Sequence, residues 1–123
     1  MGLRDIISKG LGDAAMEKMM EWLDDYKKAI AVMETFGFTV GKFKVETGIP
    51  PEIQTSLSGS IENIHPDKLK PMMEEHKGEA LVVSLLKALI VTRQIWEHVD
   101  LKLTGLTLKV TLGVPPKIDA EIY

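Results

Sequence analysis

The sequence predicts an α+β fold: a two-layer sandwich with a four-stranded antiparallel sheet covered on one face by two long helices. The chain is expected to build this from a duplicated (helix)-helix-strand-strand unit. Three observations predict it. Lys44-Val45-Glu46-Thr47-Gly48-Ile49-Pro50-Pro51-Glu52-Ile53 reads against Lys109-Val110-Thr111-Leu112-Gly113-Val114-Pro115-Pro116-Lys117-Ile118 with six of ten positions identical. Each segment follows a stretch with apolar residues three and four apart, the period of a one-sided helix. Each also joins two runs in which apolar and polar residues alternate, the period of a half-buried strand.

The match extends backwards with a shift of one position: Gly12-Asp13-Ala14 meets Gly78-Glu79-Ala80, and Ile6-Ile7 meets Met72-Met73. The copies are therefore read as residues 3–58 and 69–123, sharing a single domain over 1–123. Two copies are too few for a solenoid, so pseudo-twofold symmetry about one core is the expected arrangement.

The elements follow in order. A short helical turn, interrupted by Gly12, opens the first copy. Asp13 can cap the next helix with its carboxylate. Ala15, Met19, Leu23, Tyr26, Ile30 and Met33 then form the stripe, and Gly37 suits the stop because glycine tolerates a left-handed backbone. In the second copy Pro66 fits a first helical position, Pro71 should kink or restart the segment, and the main helix is expected from about Glu79 to Val99. Phe43 and Val45, then Ile53, Thr55, Leu57, Gly59 and Ile61, mark the inward positions of the first hairpin. Leu106, Leu108, Val110, Leu112 and Val114, then Ile118, Ala120 and Ile122, mark those of the second. The Pro-Pro pairs belong in the connections or on a sheet edge, since proline cannot donate to a ladder. Gly41 and Gly105, where the alternation changes phase, are expected bulges. Lys42, Lys44, Glu46, Gln54, Ser56, Thr107, Lys109 and Thr111 make the wet face.

Composition excludes several functions. The chain has 123 residues, 45% hydrophobic and 27% charged, which is ordinary for one globular domain. A net charge of −3 and a wet sheet face without aromatics argue against nucleic acid as a partner. With no cysteine there is no disulfide framework, thiolate metal site or cysteine nucleophile, which fits a cytoplasmic location. Met1–Ile6 carries an early acid and no apolar stretch, so no secretory signal is expected, and Ile6 stands where a myristoylation pattern wants Ser or Thr. The most apolar run, Ala80 to Val91, is too short for a transmembrane segment.

No motif carries chemistry. His65-Pro66-Asp67 resembles the signature tripeptide of the J-domain co-chaperones. In that family it lies in a loop after a basic helix, whereas here it follows a strand pattern, and a helix entry explains it. His65, His76 and His98 share no metal-ligand spacing. Glu74-Glu75-His76 reads as a charged surface turn, and Ser56, Ser58 and Ser60 as the outward face of a strand. No P-loop, nucleophile elbow or dinucleotide fingerprint is present. No catalytic residue, metal site or cofactor is therefore assigned.

Two features point to binding. From Ala80 to Thr92, ten of thirteen residues are apolar, more than one sheet-facing stripe needs. The expected function is a non-catalytic module that self-associates, as a homodimer or higher, through Val82, Val83, Leu86, Leu89 and Ile90. The alternative is a carrier or sensor holding an apolar small molecule or lipid between the sheet and the Met-rich helices, at Met16, Met19, Met20, Leu23, Met33, Met72 and Met73. An enzyme with a site between the copies would need a polar cluster converging there.

Overall fold

The computed structural model describes residues 13–48, 51–113 and 115–123. Among them the fold is α+β. Helix α1 (Asp13–Glu34) leads into strands β1 (Thr39–Glu46) and β2 (Glu52–Ser60). A 3-10 turn (Ile61–Asn63) and helix α2 (Pro66–Glu75) precede helix α3 (Ala80–Val99), and strands β3 (Gly105–Thr111) and β4 (Lys117–Ile122) close the order. The described residues hold three helices, where two long ones were expected to cover the sheet. The expected opening turn, the expected cap at Asp13 and parts of both Gly-x-Pro-Pro segments lie outside the described residues or at their boundary.

Local chemistry explains where the elements stop. Gly37 follows α1 at φ +82°, a conformation its missing Cβ permits. Asp100 ends α3 in the left-handed region at φ 57°, directly after the expected last residue Val99. Pro66 takes the first position of α2, where its missing N–H costs nothing. Pro71 sits inside α2, which runs on past it to Glu75. Ser60 caps the 3-10 turn, its side chain accepting from the Glu62 N–H.

The four strands are antiparallel in the order β1-β2-β3-β4. In the first hairpin Lys44 lies opposite Gln54 and Val45 opposite Ile53. In the second Lys109 lies opposite Asp119 and Val110 opposite Ile118. The repeat carries Lys44 onto Lys109 and Gln54 onto Asp119, so the two hairpins share one register. The strands alike in sequence, β1 with β3 and β2 with β4, run in the same direction two places apart. That relation is a step along the sheet. A twofold axis between β2 and β3 would instead match β1 with β4, so the expected pseudo-twofold is not present in the sheet.

One glycine bulge appears and one does not. The β1–β2 register shifts between Val40 and Lys42, at Gly41. Gly105 pairs regularly with Ser60; a Cβ there would stand 2.5 Å from the Tyr123 ring, so its smallness serves a close approach.

The core gathers Ile53 and Leu57 of β2 and Leu106, Leu108 and Val110 of β3 with helix residues such as Met16, Ala29, Met33, Leu69, Leu85 and Leu86. The central strands alternate as expected, and Lys44, Lys109 and Glu121 are exposed on the opposite face. The edge strands differ. Val45 is 44% exposed, and Ile118 and Ile122 are only half-buried, although all three were expected against the helices. Parity sets which face a residue takes, while the reach of the covering helices sets how deeply it is buried.

Candidate self-association surface

The expected association residues split. Val82, Leu86 and Leu89 are core residues at 2%, 0% and 0% exposure, and Val83 and Ile90 are half-buried. The excess apolar surface of α3 has an internal destination, because α3 packs against α1, α2 and β4 at once. A helix with neighbours on several sides is apolar around most of its circumference.

The residues of the expected apolar-ligand site differ in burial. Met16, Met19 and Met33 are buried in the core, and Met20, Leu23, Met72 and Met73 are half-buried. None of them lines either described cavity. Met19 and Met33 belong to the core cluster, and Met72 and Met73 pack against it.

What the surface does offer is a flank along α3. Val91, Ile95 and Val99, one helical turn apart, are 53%, 51% and 56% exposed. Beside them an open groove of about 430 Å³ runs between α3 and β4, with Ala88, Val91 and Thr92 on one wall and Ile118 and Ala120 on the other. A smaller cleft of about 250 Å³ continues past Ser84 and Pro116 to Trp22, Asp25 and Leu81. Among the described residues that line it, Asp25 and Ser84 alone carry a carboxylate or hydroxyl. At the other end of the sheet Val40, Phe43 and Val45 of β1 are 44%, 50% and 44% exposed. The Phe43 ring is tilted against Tyr26, with centroids 6.3 Å apart.

The wet face is held by short polar contacts. Ser58 Oγ and Thr107 Oγ1 meet at 2.9 Å across β2 and β3, and the Lys42 N–H donates to Ser56 Oγ at 2.9 Å. Lys44–Glu46 and Lys109–Glu121 pair at 3.0 and 3.1 Å, all well exposed. Arg93 anchors α3: its guanidinium donates to the carbonyls of Ile61 and Ile64, pairs with Glu97 at 2.7 Å and lies 4.9 Å from the Trp96 ring centroid. His76 contacts Glu79 beside the turn into α3, and His65 occupies the N-cap of α2. Among the described residues no cluster of three metal-binding side chains occurs, and no helix is long and apolar enough to cross a membrane. Comparison with family models, curated proteins and solved structures finds no match.

Proposed function

We propose that this chain is a non-catalytic module whose role is to associate with copies of itself, built from a duplicated helix-and-hairpin unit whose helices form one layer and whose sheet forms the other. One observation carries the reading: both ends of the sheet present half-open apolar side chains. Val40, Phe43 and Val45 stand at one edge, and at the other Ile118, Ile122 and the α3 flank Val91, Ile95 and Val99. A monomer seldom leaves a contiguous apolar patch beyond about 300–600 Å² open. Burying one such side chain contributes roughly 1.5–3 kcal/mol, so a few per chain offset the entropy cost of association.

The second reading, a carrier of an apolar small molecule or lipid, now rests on the groove between α3 and β4 rather than on the methionines. Its volume of about 430 Å³ is in the range of small-molecule sites. Native mass spectrometry of the purified protein separates the two. Association predicts a multiple of the chain mass with nothing bound, and the carrier reading predicts a single chain with added mass. A bare monomer at high concentration overturns both.

A further inference from the structure

We propose that β4 of one copy pairs with β1 of a second copy, in the register that β2 and β3 already use inside the chain. This rests on the self-association reading above and names its surface.

The template is internal. At the β2–β3 junction Leu57 lies opposite Leu108, Ser56 opposite Lys109 and Thr55 opposite Val110. Leu57, Leu108, Thr55 and Val110 are all buried there, at 3% or less. Because β1 stands to β2 as β3 stands to β4, the next junction in the same direction would join β4 to β1 of another copy. The repeat carries Ser56 forward onto Glu121 and Lys109 back onto Lys44. Applied to the three internal pairs, it places Ile122 opposite Phe43, Glu121 opposite Lys44 and Ala120 opposite Val45.

Three independent features fit that register. The first is side-chain chemistry. Apolar residues meet apolar residues on the helix-facing side, and Glu121 meets Lys44 on the wet side with opposite charge, a stabilising cross-strand pair.

The second is backbone parity. Gly105 and Tyr123 exchange both backbone hydrogen bonds, at 2.8 and 2.9 Å. Antiparallel pairs alternate, so Ile122, Ala120 and Ile118 turn their N–H and C=O groups away from β3, to the outer edge of the described sheet. The Leu112 N–H donates to the Ile53 carbonyl, so odd-numbered residues of β2 bond to β3 and even-numbered ones to β1. Gln54 lies opposite Lys44, which leaves Phe43 and Val45 turned outward. The outward groups of the two edges therefore fall opposite each other.

The third is the helix layer. Ile95 and Val99 are 51% and 56% exposed, whereas Ala29 and Met33, their counterparts when Gly12 is aligned with Gly78, are 0% and 1% exposed. The flank that α1 buries is open on α3, where α1 of the second copy would follow.

Such contacts are head-to-tail, so they close into a ring or run on as a fibre. Two copies would supply eight strands, a number at which small sheets close.

The chain lacks cysteine, which makes the test direct. Lys44→Cys and Glu121→Cys are combined in one chain and oxidised. Within one copy the two positions lie on opposite edges, about 14 Å apart across the sheet and offset by about 13 Å along it, far beyond the ~7 Å Cα limit of a disulfide. In the proposed register they form a non-hydrogen-bonded pair at about 4.5 Å. The expected result is intermolecular cross-linking for this pair, at least tenfold faster than for Lys44→Cys with Asp119→Cys, which sits diagonally at about 7–8 Å. In parallel, Lys44→Glu or Glu121→Lys should weaken association several-fold, and the double reversal should restore it. An oligomer that shows no preference for the matched pair and ignores the reversals overturns the edge pairing while leaving self-association standing. A monomer throughout overturns both.

Discussion

The Tyr26 hydroxyl donates to Thr55 Oγ1 across 2.6 Å of buried core, tying α1 to β2. The direction follows from Thr55, whose own hydroxyl proton goes to the Lys42 carbonyl at 2.8 Å. The two hydroxyls thus form a short relay from helix to edge strand. Removing its ends has unequal consequences. Tyr26→Phe removes one buried hydrogen bond and should cost about 0.5–1.5 kcal/mol. Thr55→Val leaves the buried tyrosine donor without a partner and should cost more, about 1–3 kcal/mol. Urea melts of the two variants check the order.

The same phenol makes stability fall at high pH. Burial holds the Tyr26 pKa above its ordinary 10.0. The folded chain therefore keeps this proton more tightly than the unfolded chain. The contribution is complete below the unfolded value of 10.0 and is lost as pH rises through the folded one. Thermal melts above pH 10 should fall less steeply for Tyr26→Phe than for the unaltered protein.

Arg93 should matter to stability more than a surface arginine does. Its bonds to the Ile61 and Ile64 carbonyls measure 2.9 and 3.2 Å, and its side chain is only 20% exposed. Arg93→Ala is expected to cost roughly 1.5–3 kcal/mol through the lost charged hydrogen bonds. Arg93→Lys should recover only part of this, because an ammonium lacks the planar fork that reaches two carbonyls and Glu97 together. Calorimetric unfolding of both variants is the check.

Leu86→Glu separates core from surface. Leu86 is 0% exposed, so a carboxylate there is buried without a partner and the chain should fail to fold. Ile95→Glu, at a site 51% exposed, should leave the circular dichroism of the helices unchanged while weakening association. If Ile95→Glu leaves the oligomer intact, the α3 flank is not part of the contact.

The layout of the four strands was legible in the sequence because strand parity is a local signal. The alternation from Leu106 to Val110 marked its face correctly, and Pro66 marked the start of α2. Burial depth was not legible. It depends on which helices lie overhead, so Val45 and Val110 carry the same letter in matching positions yet are 44% and 1% exposed. The apolar residues of α3 misled for a related reason: periodicity shows that a helix is apolar on many sides but not that α1 and α2 already occupy them. The Tyr26–Thr55 bond left only a trace, a hydroxyl-bearing residue in each of two apolar stripes.

The edge pairing also contains one unfavourable contact, and relieving it should strengthen the assembly. Continuing the proposed register places Asp119 opposite Glu46 of the second copy, and like charges directly opposite are destabilising. Glu46 pairs with Lys44 at 3.0 Å, but with side chains 50% and 63% exposed that bridge contributes little to the monomer. Glu46→Gln should therefore leave the melting temperature of isolated chains nearly unchanged while tightening self-association about two- to fivefold, in line with the usual size of a cross-strand pair. Salt gives a second signature. The unaltered edge combines an attraction, Glu121 with Lys44, and a repulsion, Asp119 with Glu46, which screening weakens together. In Glu46→Gln the attraction remains alone, so added salt should loosen the variant more than the unaltered protein. Sedimentation equilibrium at low and high salt measures both effects, and a variant that associates more weakly than the unaltered chain would place Glu46 outside the interface described.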